Sequence, residues 1–229
     1  MAADAGLEAV EWGSDVHVPD RGAAEQVAAL TQRHGLTVAS YGTYYRLGED
    51  PDTFPDLLAA AVVLGAPRMR GWAGAVERSE ADDSVIAAVV DDARRIADLA
   101  GAAGVRVGLE FHGGTLTATA ESTRALLEAV AHPHLGTYWQ PPVGMPDDDA
   151  LAGLDAVFPW LEAVHVFSWW PRTERLALGA RADLWRRALT RTCADGIRRD
   201  ALLEFVPGDD PSVLSREAAT LRDLAAGVL

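Results

Sequence analysis

Cysteine is nearly missing from this 229-residue chain, where Cys193 stands alone. One thiol excludes an intrachain disulfide and a thiolate metal cage. Its surroundings read as a half-buried helix position. Long apolar runs are missing as well. The greasiest stretches are broken by charge or glycine within about ten residues, short of the roughly 20 that cross a bilayer. The first residues, Met1-Ala2-Ala3-Asp4-Ala5-Gly6, lack the basic flank and apolar segment of a secretory signal. These absences together predict a cytoplasmic protein with no membrane partner.

Positive charge is scarce. Twenty basic residues stand against 34 acidic ones, for a formal net charge of −14. Such a surface repels phosphate backbones unless one face concentrates arginine. The arginines are instead scattered through helical stretches, with only short pairs such as Arg94-Arg95, Arg186-Arg187 and Arg198-Arg199. They read as solvated helix faces, and no nucleic-acid partner is expected.

Alternation is what the chain has in abundance. Hydrophobic residues make up 49% of it, enough for one large core. Short β-branched runs alternate with Ala/Leu/Arg-rich stretches whose apolar residues recur at helical spacing, as in Val85, Val89, Ile96 and Leu99. Strands are predicted at 7–12, 36–41, 68–72, 105–111, 135–140, 163–167 and 201–206, most of them preceded by a turn signal such as His34-Gly35 or Gly65-Ala66-Pro67. Strand then helix, repeated, means parallel strands with helical crossovers. The expected fold class is therefore α/β: a (β/α) TIM-type barrel forming a single domain over 1–229, with seven recognisable βα units. A closed barrel has eight strands and about 250 residues, so the N-terminal strand is expected to be missing. Residues 1–6 read as the tail of a helix. Two unpaired edges would favour a homodimer that covers them.

Parallel α/β folds place their chemistry at the carboxyl ends of the strands. Those ends carry Glu11 and His17, then Tyr41, Tyr44 and Tyr45, then Arg70 and Trp72, then Glu110 and His112. Gln140, His165 and Glu204 end the last three. A charge placed after an apolar run is costly to bury unless paired or metal-bound. Alternation along a strand makes Glu110 and His112 face the same way. Taken singly, a strand-end Glu is more often a salt-bridge partner, and a His between two valines more often a hydrogen-bonded core residue. Four such residues ending four successive strands are harder to dismiss. Two carboxylates, an imidazole and an amide oxygen suit Mn²⁺, Mg²⁺ or Co²⁺ better than a structural zinc.

Four segments carry a resemblance: Leu109-Glu110-Phe111-His112-Gly113-Gly114, Thr137-Tyr138-Trp139-Gln140-Pro141-Pro142, Val164-His165-Val166-Phe167-Ser168-Trp169 and Leu203-Glu204-Phe205-Val206. The chain resembles the xylose-isomerase-like sugar phosphate isomerase/epimerase family, which includes ketose 3-epimerases, inosose dehydratases and relatives of endonuclease IV. The resemblance implies a metal held by Glu110, Gln140, His165 and Glu204, and a substrate-contacting arginine, for which Arg172 is the nearest match. It departs from the family at Gln140, which stands where Asp is usual; the neutral amide predicts weaker metal retention.

The resemblance further implies isomerisation or epimerisation of a carbohydrate by proton transfer next to a carbonyl through an enediolate, with Glu110 and Glu204 as the proton carriers. Trp12, Trp72, Trp139 and Trp169 are candidates to pack on sugar C–H faces, with barrel-mouth packing as the alternative. His17, Tyr44, Tyr45 and His112 are candidates to bind hydroxyls, and Glu11 lies at the same end of its strand. The same machinery fits a dehydratase acting on a polyol ketone, and a non-catalytic sugar-binding relative is the alternative from another class.

Overall fold

The computed structural model of the chain describes residues 1–226. Among the described residues, seven parallel strands follow one another in the sheet in their order along the chain. They are β1 (Ala9–Gly13), β2 (Thr37–Arg46), β3 (Arg68–Trp72), β4 (Arg106–Glu110), β5 (Leu135–Trp139), β6 (Leu161–Val166) and, after a short antiparallel hairpin of β7 (Ser168–Trp169) and β8 (Arg175–Leu176), β9 (Asp200–Leu203). The crossovers carry α1 (Arg21–Arg33), α2 (Phe54–Leu64), α3 (Asp83–Ala102), α4 (Ala120–Val130), α5 (Asp147–Val157) and α6 (Ala182–Thr192), and α7 (Leu214–Ala226) follows β9. The result is a nearly closed α/β barrel, and each predicted strand is present. Strand 36–41 runs on to Arg46, because Tyr41 and Gly42 stay in register with Met69 and Arg70 of β3 before the ladder shifts.

Local chemistry starts and stops the helices where the elements need it. Asp20 caps α1 by accepting from Ala23 N at 2.8 Å, and Asp82 caps α3 by accepting from Ser84 N and Val85 N. Thr119 and Ser122 form a reciprocal capping box on α4. Each such cap contributes about 1 kcal/mol. Gly65 ends α2 at φ +75°, a conformation that a β-carbon would strain.

Outward-facing strand residues and inward-facing helix residues make the apolar layer. Met69, Val107 and Leu109 pack with Val89, Ala93 and Ile96 of α3, while Trp139, Val164 and Val166 pack with Leu151, Leu154 and Trp185 of α5 and α6. Burying each large side chain contributes roughly 1.5–3 kcal/mol. Leu99, predicted on the buried stripe of α3, is 40% exposed. The stripe instead runs through Val89, Ala93, Ile96 and Ala100.

The barrel interior is unusually polar. Arg68 of β3 reaches across to Asp200 of β9 at 2.6 Å, and Tyr138 fills the space beside Gly108, where a β-carbon would collide with its ring. Among the described residues no ladder joins β1 to β9. Both edge strands are half-buried throughout. Arg222 of α7 ties in the segment before β1 by donating to Ala5 O at 2.6 Å and Gly6 O at 3.0 Å. Residues 1–6 form turns there, with Ala5 N bonded to Met1 O at 2.9 Å. No helix among the described residues is long and apolar enough to cross a membrane.

Candidate active site at the barrel mouth

Three side chains from three strands converge at the carboxyl end of the barrel. Glu110 ends β4, His165 lies one residue before the end of β6, and Glu204 directly follows β9, its backbone N–H extending the ladder to Val166 O at 3.2 Å. One ligand atom from each lies within 4.8 Å of the others. His165 Nδ1 is the common point, 3.9 Å from Glu110 Oε1 and 3.6 Å from Glu204 Oε2. Gln140, just past β5, completes the group by accepting a 2.7 Å bond from His165 Nδ1. All four residues singled out from the strand ends therefore meet.

Arginine 70 organises the floor beneath them. Its guanidinium lies between Glu11 and Glu110, donating through Nε to Glu11 Oε1 at 3.0 Å and through Nη1 to Glu110 Oε2. Trp72 Nε1 donates to the same Glu110 oxygen at 2.6 Å, and Ser40 Oγ donates to Glu11. Glu110 is thus fixed through one oxygen, leaving the other toward His165. Gly42 makes this possible, since a β-carbon there would lie 2.7 Å from Glu11 Oε1 and 2.8 Å from Arg70 Nη2.

The electrostatics follow from this packing. Burial would raise Glu11, but the Arg70 charge and the Ser40 hydrogen bond outweigh it and hold the carboxyl below its usual range. Burial lowers His165, so its imidazole is neutral; with its hydrogen on Nδ1 it donates to Gln140, and with the hydrogen on Nε2 it would turn the Nδ1 lone pair toward a cation. Burial, then the charge of Glu110, push Glu204 up to about 8, with Arg70 and Arg175 opposing. Counting Glu11, Glu110, Glu204 and Arg70 as ionised leaves two unbalanced negative charges, the complement of a divalent cation.

The residues present fit such an ion. Ligands on a sphere of about 2.1 Å radius lie roughly 3–4 Å apart, close to the spacing found here. Glu110, His165 and Glu204, with Gln140 Oε1 beside them, offer oxygen-rich donors and one nitrogen, a set matched to hard or borderline ions.

The wall around this centre is aromatic. His112 stacks on Trp72 at 4.6 Å, Tyr44 meets Trp72 edge-on at 5.6 Å from an exposed position, and Arg46 covers the ring at 4.3 Å. On the other side Trp169 packs on Phe205 at 4.7 Å, its buried Nε1 without a hydrogen-bond partner. His17 is exposed and rests on Trp12 at 5.3 Å, beside edge strand β1.

One expectation needs correction, and another gains a second candidate. Trp139 faces away from the barrel: it is wholly buried against Trp185 in the outer layer, because alternation along β5 sends it opposite to Gln140. Arg172 is exposed in the turn of the β7–β8 hairpin, its backbone N–H held by Glu174 at 3.1 Å. The arginine whose charge reaches Glu204 is Arg175, half-buried over Phe205 at 4.6 Å and paired with Asp209. Arg70 was visible as a strand-end charge, and its two-residue spacing from Trp72 was the signal that both point inward.

The fold is similar to that of three solved structures. They are a probable 3-DHS dehydratase, AsbF, from Bacillus anthracis (19% identity, TM-score 0.75, covering 96% of this chain and 90% of that one), the 3-keto-D-glucoside 4-epimerase YcjR from E. coli (16%, TM-score 0.75, 96% and 90%) and a xylose isomerase-like TIM barrel protein from Mycobacterium smegmatis in complex with magnesium (16%, TM-score 0.70, 99% and 86%). No curated protein sequence gives a significant match. The family model described as xylose isomerase-like TIM barrel matches residues 1–195, and the chain belongs to that family.

Proposed function

We propose that the protein is a divalent-metal-dependent enzyme that isomerises or epimerises a sugar or sugar derivative by moving a proton next to a carbonyl. The observation that carries this is the meeting of two carboxylates of unequal character on one imidazole: Glu110, pinned by Arg70 and Trp72, and Glu204, opening to the mouth and raised to about 8. Glu110, Gln140, His165 and Glu204 would hold the ion, which when bound supplies Lewis-acid polarisation of a carbonyl oxygen.

The chain's own residues supply the rest. Glu204, which opens to the mouth with Oε2 3.6 Å from His165 Nδ1, is the group placed to take and return a proton. Glu110, fixed through one oxygen, presents the other in a constant position. Trp72 and His112 on one side and Trp169 and Phe205 on the other form apolar walls that exclude water and pack against C–H faces. The guanidinium of Arg175, half-buried over Phe205 and Trp169, is a donor placed beside the mouth for hydroxyl or carbonyl oxygens.

A panel of ketoses, aldoses and inososes with Mn²⁺ present, followed by exchange of the carbon-bound α-proton in D₂O, tests the reading. Exchange by the wild type that disappears in Glu204→Gln, with the fold intact, supports it; exchange unchanged in that variant refutes the assignment. Elimination of water is the second reading, favoured by likeness to the Bacillus anthracis dehydratase. Appearance of an unsaturated product would select it.

A further inference from the structure

From Ser40 onward, every second residue of β2 points toward the site. Ser40 bonds to Glu11, a β-carbon on Gly42 would meet Glu11 and Arg70, and Tyr44 meets the edge of Trp72. Arg46 ends this row, in register with Trp72, and its guanidinium lies 4.3 Å from the centre of the Trp72 ring. Trp72 in turn donates through Nε1 to Glu110. A single indole therefore separates the Arg46 charge from the cluster of Glu110, His165 and Glu204.

Arg70 and Arg175 of the same site are paired with carboxylates. Among the described residues Arg46 has no such partner, and its one hydrogen bond is a long contact from Nη1 to Gly74 O at 3.4 Å. The side chain is half-buried, and its free nitrogens remain open to solvent. A guanidinium carries five N–H donors and is always charged, so most of its bonding capacity is unused. In a chain of net charge −14, a reachable and uncompensated cation beside the site marks a place for an anion. Glu49 and Asp50, both exposed, line the same cleft of about 260 Å³ without pairing with Arg46. Two acids there disfavour a dianion such as phosphate. A single carboxylate, by contrast, matches the planar fork of one arginine.

We propose that Arg46 is a specificity-determining residue that binds a carboxylate of the substrate, which makes the substrate a sugar acid with its carbonyl at one end and its carboxylate at the other. The inference rests on the proposed function for the position of the carbonyl end. The carboxylate lies on the β2–β3 side of the mouth, across from the wall that Arg175 and Phe205 form. One charge at the far end thereby fixes which end of the substrate faces Glu110 and Glu204.

Calorimetry in the presence of Mn²⁺ with matched pairs of sugars tests this: D-glucuronate against D-glucose, D-galacturonate against D-galactose, and D-mannuronate against D-mannose. Each pair differs only in a terminal carboxylate against a terminal hydroxymethyl group. At least one uronate is expected to bind roughly tenfold more tightly than its parent sugar, as a charged hydrogen bond allows. Arg46→Gln should remove that preference. If that variant does not fold, Arg46→Lys, which keeps the charge without the fork, should cut the preference at least roughly threefold. No preference for any uronate in the wild type, or a preference that survives in Arg46→Gln, overturns the proposal. Tighter binding of D-glucose 6-phosphate than of D-glucuronate overturns the choice of a carboxylate. Lack of α-proton exchange in sugars that bind would refute the proposed function and leave these affinities standing.

Discussion

His165 Nδ1 and Gln140 Oε1 are joined by a 2.7 Å hydrogen bond at the centre of the barrel mouth. The amide oxygen therefore points at the same place as the carboxylates of Glu110 and Glu204, but without their charge. Gln140→Asp adds a negative charge at that point without changing the reach of the donor set by more than one methylene. Mn²⁺ affinity, measured by calorimetry, should rise roughly tenfold, as added ligand charge tightens such sites. No gain would mean that residue 140 lies outside the coordination sphere.

Glu204 makes the pH dependence run opposite to that of most carboxylates. In the unfolded chain it ionises near its ordinary value of 4.5, whereas in the folded protein without a metal it holds its proton to about 8. The folded state thus binds the extra proton between these values, and its stability falls as pH rises through that window. Denaturant melts of chelator-treated protein should show this slope, and Glu204→Gln should remove it. Because ligands must be deprotonated to bind a cation, Mn²⁺ uptake near pH 6.5 should release about one proton, read by calorimetry in buffers of different ionisation enthalpy.

Arg70 pairs with two carboxylates at once, the half-buried Glu11 and the buried Glu110. Arg70→Met leaves Glu11 and Glu110 without their partner and should cost roughly 3–5 kcal/mol of stability in urea unfolding. Adding Glu11→Gln should recover part of that loss. Strict additivity of the two changes would show that the pair is not coupled.

Arg175 and Arg172 are three residues apart but differ in what they touch. Arg175 covers Phe205 and Trp169 beside Glu204, while the Arg172 residue is exposed. With the substrate found by the exchange panel, Arg175→Ala should raise KM roughly tenfold, as loss of a charged hydrogen bond does, and Arg172→Ala should leave it within about twofold. The reverse ranking would return the role to Arg172.

The scaffold was legible because its signals are local. An apolar run closed by a carboxylate, as in Leu109-Glu110 or Leu203-Glu204, reports both a strand and the end at which it stops. The strand period also separated inward from outward residues, and where it was followed the reading held, as for Glu110 and His112 sharing Trp72. Trp139 was misplaced because residue type outweighed that period: adjacent strand residues cannot both face the mouth, and Gln140 already did. Arg175 could not be distinguished from Arg172 in the same way, because the choice rests on how the β7–β8 hairpin folds over Phe205. The Arg70 bridge depends on Gly42 and Ser40 of the neighbouring strand β2, a tertiary relation that no local pattern encodes.

The open side of the barrel gives its two key carboxylates different mechanical lives. Glu110 rides on a strand clamped between β3 and β5, whereas Glu204 extends a strand held, among the described residues, by β6 alone. Amide protons of β9 should accordingly exchange faster than those of β4, because fewer bonds must break to expose them. One wall of the site is an anvil and the other a hinge leaf, and the proposed proton carrier stands on the side free to swing.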